Sequence, residues 1–238
     1  MIAVLGVGPG LGLSIARRFG REGHAVALVS RSDARHAAYR AELADAGIES
    51  RAYTADLTDP VAQRAVVARI ADDHGGIDTV YFGPAAAGAR GITPLAAADP
   101  EDVREPLENI LLPAVHLVSA VLPAMLDRGA GTLLFAGGLS GLRPMPMLGN
   151  LAPASAALRM YALTLHATVA DRGVYVGALT VGGLITGGDI HRTVTEQGHR
   201  MPTLDPDAIA ETAWRMAAER TRPEEVFDAF ASATAVAG

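Results

Sequence analysis

The sequence predicts an α/β fold, a doubly wound parallel sheet of about seven strands with helices on both faces. Three observations predict it. Short β-rich runs alternate with longer amphipathic stretches along the whole chain. The first strand leads directly into a glycine-rich turn that opens a helix. The chain has 238 residues and neither an internal repeat nor a linker that would split it, so 1–238 reads as one domain.

The elements follow in order. Ile2–Leu5 is a strand and Leu11–Glu22 a helix; Ala25–Ser30 is a strand and Asp33–Ala46 a helix closed by Gly47. Ser50–Thr54 is the third strand, and Asp59-Pro60 opens a helix to about Asp73. Ile77–Phe82 is the fourth strand, followed by a Gly-, Ala- and Pro-rich loop to Pro100 and a long helix, Val103–Arg128. Thr132–Ala136 and Val174–Val181 are strands flanking a second long helix, Leu148–Arg172. The stretch 182–202 is too long for a simple connector and reads as a loop. Asp205–Arg220 is the last helix and Glu225–Phe230 the last strand.

Composition narrows the chemistry. There is no cysteine, which excludes disulfides, iron–sulfur clusters and thiolate zinc sites. All 20 basic residues are arginine, so a lysine general base, a Schiff base and a P-loop lysine are excluded too. A net charge of -6 without a basic run argues against nucleic acid as a partner. The greasiest stretch, Ile110–Leu126, contains two prolines and is too short to span a bilayer comfortably, so it reads as a buried helix. No leader segment is visible, and the expectation is a soluble, cytoplasmic protein.

The first strand ends in Gly6-Val7-Gly8-Pro9-Gly10-Leu11-Gly12. Glycines here permit a tight turn and let backbone approach a pyrophosphate, while the following helix aims its N–H groups at the phosphates, the Rossmann-type arrangement. The spacing Gly6-x-x-x-Gly10-x-Gly12 resembles the short-chain dehydrogenase/reductase pattern, and the resemblance runs along nearly the whole chain. Ala55-Asp56-Leu57 is similar to the family's adenine-contacting segment, Asn109 falls at its active-site asparagine, Leu122-Pro123-Ala124-Met125 resembles a stretch of the same helix, and Thr186 falls at a threonine on the nicotinamide end. The resemblance therefore implies cofactor contacts from Gly6, Gly10, Leu11, Gly12, Ser30, Arg31, Asp56, Leu57, Gly83 and Thr186, and no metal. The second strand ends Ser30-Arg31 with no acidic residue to take a ribose 2′-hydroxyl, and Arg31 can pair with a 2′-phosphate, which favours NADP(H) over NAD(H).

The pattern breaks where the family's chemistry resides. The family places a serine after the fifth strand, a tyrosine thirteen residues on and a lysine four beyond. Counted back from Gly141, those positions hold Gly138, Leu151 and Ser155, and Ala156-Ala157-Leu158 fits the same register. The family's Asn-Asn-Ala-Gly is replaced by Phe82-Gly83-Pro84-Ala85, and its Pro-Gly by Gly182-Gly183. Asn109, Ser140, Asn150 and Ser155 are the candidates left for catalytic work, each with a plain structural reading beside it: Ser140 and Asn150 shaping a turn, Ser155 bonding back to its helix. Tyr161 and Tyr175 read as packing residues. In the loop 182–202, which covers substrate in the family, His191 or His199 offers an acid or base.

Three functions fit: an atypical NADP(H)-dependent oxidoreductase of a small organic substrate, a non-redox enzyme on the same fold (cyclase, isomerase or lyase), and a non-catalytic nucleotide-binding or scaffold protein. They are ranked in that order. The apolar helices near 103–128 and 148–172, which form subunit interfaces in the family, imply a homodimer or homotetramer.

Overall fold

The computed structural model describes residues 1–83 and 90–234. In chain order the elements are β1 (Ile2–Leu5), α1 (Leu11–Arg21), β2 (Val26–Ser30), α2 (His36–Asp45), β3 (Ser50–Thr54), α3 (Pro60–His74) and β4 (Thr79–Phe82). They continue with α4 (Pro100–Pro106), α5 (Leu112–Arg128), β5 (Gly131–Gly138), α6 (Leu151–Val169) and β6 (Val174–Gly182). The last are β7 (Leu184–Ile185), α7 (Asp189–Glu196), β8 (Thr203–Leu204), α8 (Pro206–Glu219), β9 (Glu224–Asp228) and α9 (Ala229–Thr234).

Seven strands form one parallel sheet in the order β3-β2-β1-β4-β5-β6-β9. Two-residue alternation divides each strand between two cores. In β1, Ala3 and Leu5 face the side covered by α3, α5 and α6, with Val67, Leu117 and Leu158 among their company. Ile2 and Val4 face α1, α2 and α8, together with Phe19, Leu43 and Ile209. Strand order reverses between β1 and β4, and in such sheets that is where a crevice opens at the carboxyl ends.

Several boundaries differ from the sequence expectation, for local reasons. Helix α2 starts at His36, three residues late, because Asp33 carbonyl and Ser32 Oγ accept from His36 and Ala34 N–H in a preceding turn. The helical run 100–128 is continuous through Pro106, Pro113 and Pro123, with residues 107–111 in a wider π turn. Proline lacks an N–H and spoils the regular ladder, and a π turn is one way to absorb that. The run is thus long and apolar enough to cross a membrane by length and composition, a correction to the shorter stretch read from sequence. Its inner face is spent on the sheet, where Ala114, Leu117, Val118, Val121 and Met125 are buried. The stretch 182–202 is not a plain loop: it carries β7 and α7, and β7 pairs with β8. Strand β9 ends at Asp228, whose Oδ1 accepts from the N–H groups of Phe230 and Ala231 and turns the chain into α9.

Strand β9 is tied to α6 by a two-pronged ion pair. Arg159 Nε and Nη2 each lie 2.6 Å from a Glu224 carboxylate oxygen, and Thr180 Oγ1 donates to the same group at 2.7 Å. Burial pushes this carboxyl up, and Arg159 and Thr180 outweigh that and hold it below its ordinary range. Its contribution to stability is therefore present above the unfolded carboxylate range and is lost as pH falls through the lowered folded value. Glu224→Gln should cost about 2 kcal/mol at neutral pH and flatten the acid limb of the stability curve; urea denaturation at a series of pH values checks both.

Candidate active site

Neighbouring strands bring glycine to a common rim. Gly6 follows β1, Gly83 follows β4, Gly137 and Gly138 end β5, and Gly183 follows β6. With Ala136 and Val181 they line a cavity of about 330 Å³. Its floor is therefore mostly backbone, which lets a flat ligand lie close to the strand ends. The walls are the 8–12 turn, Ile110 in the π turn, Leu148, Leu151 and Ser155 around the start of α6, and the stretches Leu184-Ile185 and 188–191.

The 6–12 turn is built for close backbone approach. Gly6 has φ 89°, and a side chain at Gly12 would start 3.0 Å from Val7 Cα. Helix α1 has no side-chain cap and no acidic residue in its first turn. By contrast, Asp59, Asp99 and Asp205 cap α3, α4 and α8. The N–H groups of Leu11 and Gly12 find no acceptor among the described residues, so α1 meets the cavity with donors to spare.

Four of the remaining expected cofactor residues, Ser30, Arg31, Asp56 and Leu57, lie at the ends of β2 and β3, outside this cavity. Ser30 Oγ donates to Ser32 carbonyl and lies 2.7 Å from Nε2 of the buried His36. Burial pushes the His36 imidazole below its ordinary value. Arg31 is exposed and has no ion-pair partner among the described residues. The Asp56 carboxylate accepts from Thr58 N–H at 2.9 Å and Thr58 Oγ1 at 2.8 Å, and these bonds, with Arg31 nearby, hold it below the usual carboxylate range. The Leu57 side chain is buried in the core, which leaves its backbone for any contact. Pro84 and Ala85 lie outside the described residues.

Across the crevice, α7 reaches the loop after β2. Arg35 Nη1 lies 2.6 Å from Asp189 Oδ2, and Arg192 bonds the other oxygen of the same carboxylate. Arg35 and then Arg192 hold the Asp189 carboxyl below its usual range. A side chain at Gly10 would start 2.8 Å from Ile185 Cγ2, so the lid segment also rests on the glycine turn. Thr186 is exposed beside the cavity and donates its N–H to Leu204 carbonyl, while Ile185 and Gly188 line the wall. His191 lines the cavity too; His199 does not.

The reacting end holds Gly138, Leu151 and Ser155, all three of which line the cavity. Ser140 and Ser155 are buried, and the Ser140 hydroxyl has no hydrogen-bond partner among the described residues. Asn150, a candidate from the sequence, is wholly buried and outside the cavity. Its Oδ1 accepts from Thr93 N–H at 2.9 Å, and its Nδ2 donates to Asp102 carbonyl at 2.8 Å and Gly91 carbonyl at 3.3 Å, so it staples the 91–93 segment to α6. Asn109 sits half-buried in the π turn, and its neighbour Ile110 is the residue that reaches the cavity. Tyr161 packs edge-on against Phe135, and Tyr175 Oη donates to Arg222 carbonyl at 2.7 Å.

Sequence reasoning missed Tyr81. Of the five tyrosines it alone lines the cavity among the described residues, with its ring under Gly83. Burial pushes its phenol well above the ordinary value. The signal was the alternation in β4, which puts Tyr81 on the Val4 side of the sheet and one strand-step below the rim. Arg35 was missed as well, because nothing local announces a partner 154 residues away.

Comparison with known proteins places this geometry. Residues 1–197 match the family model described as short chain dehydrogenase. An oxidoreductase, asL5, of Sarocladium schorii is 27% identical over 199 residues, covering 83% of this chain and 77% of that protein. The NADP-dependent 3-hydroxy acid dehydrogenase YdfG of Salmonella typhi is 26% identical over 227 residues, covering 91% and 88%. Among solved structures, a metagenomic short-chain oxidoreductase in complex with NADP superposes with a TM-score of 0.79 at 22% identity, covering 96% of both chains.

Proposed function

The chain belongs to the short-chain dehydrogenase family, and on that premise we propose that it is an NADP(H)-binding oxidoreductase acting on a small organic substrate without the family's tyrosine as proton donor. One observation carries the reading: the uncapped α1 and its glycine turn open onto the same cavity whose far wall presents Gly138, Leu151 and Ser155.

The residues fit such a cofactor. The spare N–H groups of α1 suit a pyrophosphate, and the glycine rim leaves room for a planar ring. Arg31, with Arg35 close in sequence, supplies guanidinium groups for a 2′-phosphate. When bound, NADPH would supply a hydride. The chain's own residues do the rest. Ile110, Leu148, Leu151, Leu184 and Ile190 exclude water and hold an apolar substrate. The Arg35–Asp189 pair fastens the lid. Leu151 has no proton to give, so the fitting substrates are those that need little electrophilic help at oxygen, such as activated C=C or C=N bonds.

Consumption of NADPH across a panel of enones, imines and simple ketones tests the reading, with turnover expected in the first two groups. NADPH binding without consumption of any of them would move the chain to a non-redox role such as a cyclase, isomerase or lyase. We also propose assembly through the outer faces of α5 and α6, where Leu112 is 45% and Met160 57% exposed. Light scattering at micromolar concentration should give a dimer or tetramer, and a monomer would contradict it.

A further inference from the structure

A second cavity lies at the opposite end of the sheet. Its volume is about 220 Å³, and Thr79 and Thr132, at the amino ends of β4 and β5, line its floor. Four residue steps lead from Thr79 to Gly83, so roughly 13 Å of strand separates this cavity from the glycine rim. The two threonines are register partners on neighbouring strands, about 4.8 Å apart. Both are buried, and alternation turns both side chains to the face of Tyr81 and Leu134, where α1 and α8 pack. The Thr79 hydroxyl has no hydrogen-bond partner among the described residues and is not one of the hydroxyls sealed from solvent. It therefore opens on the cavity.

The facing wall carries a charge and a set of rings. Arg220 stands just past α8 with φ 55°, a left-handed backbone that glycine usually supplies at such a place. The partners of its guanidinium are all uncharged. Nε donates to Ala217 carbonyl at 3.4 Å, Nη1 to Gly173 carbonyl at 3.1 Å and Nη2 to Thr132 Oγ1 at 3.5 Å. The last is at the limit of a hydrogen bond and yields readily to a stronger acceptor. Phe19, His24 and Trp214 meet edge-on along the same wall, with ring centroids 5.1–5.8 Å apart. The lining carboxylate, Asp78, is exposed and engaged by the Met1 ammonium.

We propose that this cavity is a second ligand site, for a small, flat carboxylate. Arg220 and the Thr79 and Thr132 hydroxyls bond the carboxylate, and the ring lies against His24 and Trp214. The uncompensated guanidinium calls for an anion, the hydroxyls supply further donors, and the volume suits one ring rather than a dinucleotide. The site is independent of the oxidoreductase reading.

Trp214 is the chain's one tryptophan, so its fluorescence reports on this cavity. The probes are benzoate, benzamide, which has the same shape without the charge, and inorganic phosphate, which has the charge without the ring. Benzoate should change the emission saturably and bind about tenfold more tightly than either. Arg220→Gly should weaken benzoate by about tenfold and leave benzamide unchanged. Glycine suits the left-handed backbone, so that variant keeps the fold. Thr79→Val, close in shape, should weaken benzoate by about fivefold. Saturating NADPH should leave benzoate affinity unchanged. A response that does not saturate, no preference for benzoate over the other two probes, indifference to Arg220→Gly, or displacement of benzoate by NADPH would each overturn the proposal. Failure of NADPH itself to bind would strike the oxidoreductase reading and leave the probe comparison to decide this site.

Discussion

Simple ketones and secondary alcohols are expected to show turnover about 10²–10⁴-fold below ordinary family rates, even with NADPH or NADP⁺ saturating. The resemblance assigns proton transfer to a tyrosine and its support to a lysine; here Leu151 and Ser155 stand on the cavity wall at those positions, and the chain contains no lysine at all. A serine hydroxyl can donate a hydrogen bond, but it is a far weaker acid than a lysine-assisted tyrosine and so a poor general acid near neutral pH. The combined substitution Gly138→Ser, Leu151→Tyr and Ser155→Lys tests whether the donor is all that is missing. Position 138 accepts a side chain in backbone terms, since its φ is -85°. Weak ketone reduction should then appear. If none does, the Gly83 and Gly182-Gly183 replacements have changed how a nicotinamide sits. Ordinary ketone turnover by the unmodified chain would contradict the account, and His191 and Tyr81 would be the donors to examine, since both line the cavity.

The second large effect concerns the cofactor's phosphate. NADPH should bind more tightly than NADH by about two orders of magnitude, the worth of one or two charge-assisted bonds. Arg31→Ala and Arg35→Ala should each remove about tenfold of that preference while sparing NADH. Arg35 has a second task, because in this structure it holds Asp189 at 2.6 Å across the crevice. A 2′-phosphate would compete with Asp189 for Arg35, so Asp189→Ala should strengthen NADPH binding and leave NADH little changed. Calorimetry on the four proteins decides it; equal affinities for the two cofactors in the unmodified chain would sink the assignment.

What the sequence disclosed follows from the range of the interactions involved. Strand alternation, the Asp59-Pro60 helix start and the 6–12 glycine turn are local patterns, and the sheet, its order-reversing crevice and the phosphate-facing helix came with them. The candidates Ser140 and Ser155 were visible as residues, but their nearness to Gly138 depends on Gly141 letting the 139–141 turn touch α6, a contact no spacing rule describes. Asn150 looked like an available amide and proves to be spent on three backbone partners brought in from residues 91–102. Tyr81 is buried with the rest of β4, and its hydroxyl reaches the cavity wall only because Gly83 has no side chain in the way. Helix α7 was hidden by its polar composition within 182–202, where glycines at 187, 188 and 198 frame a short helix as they would a loop.

The central claim is that one cavity takes the nicotinamide end of NADP(H), and a pair of calorimetric titrations tests it most directly: NADPH against 2′-phospho-ADP-ribose, which lacks only that end. The account predicts that both bind through the α1 turn and Arg31, that NADPH binds more tightly, and that Leu151→Trp, which crowds the cavity, erases the difference without weakening the fragment. Equal affinity for the two ligands in the unmodified chain, or no binding of either, would contradict it.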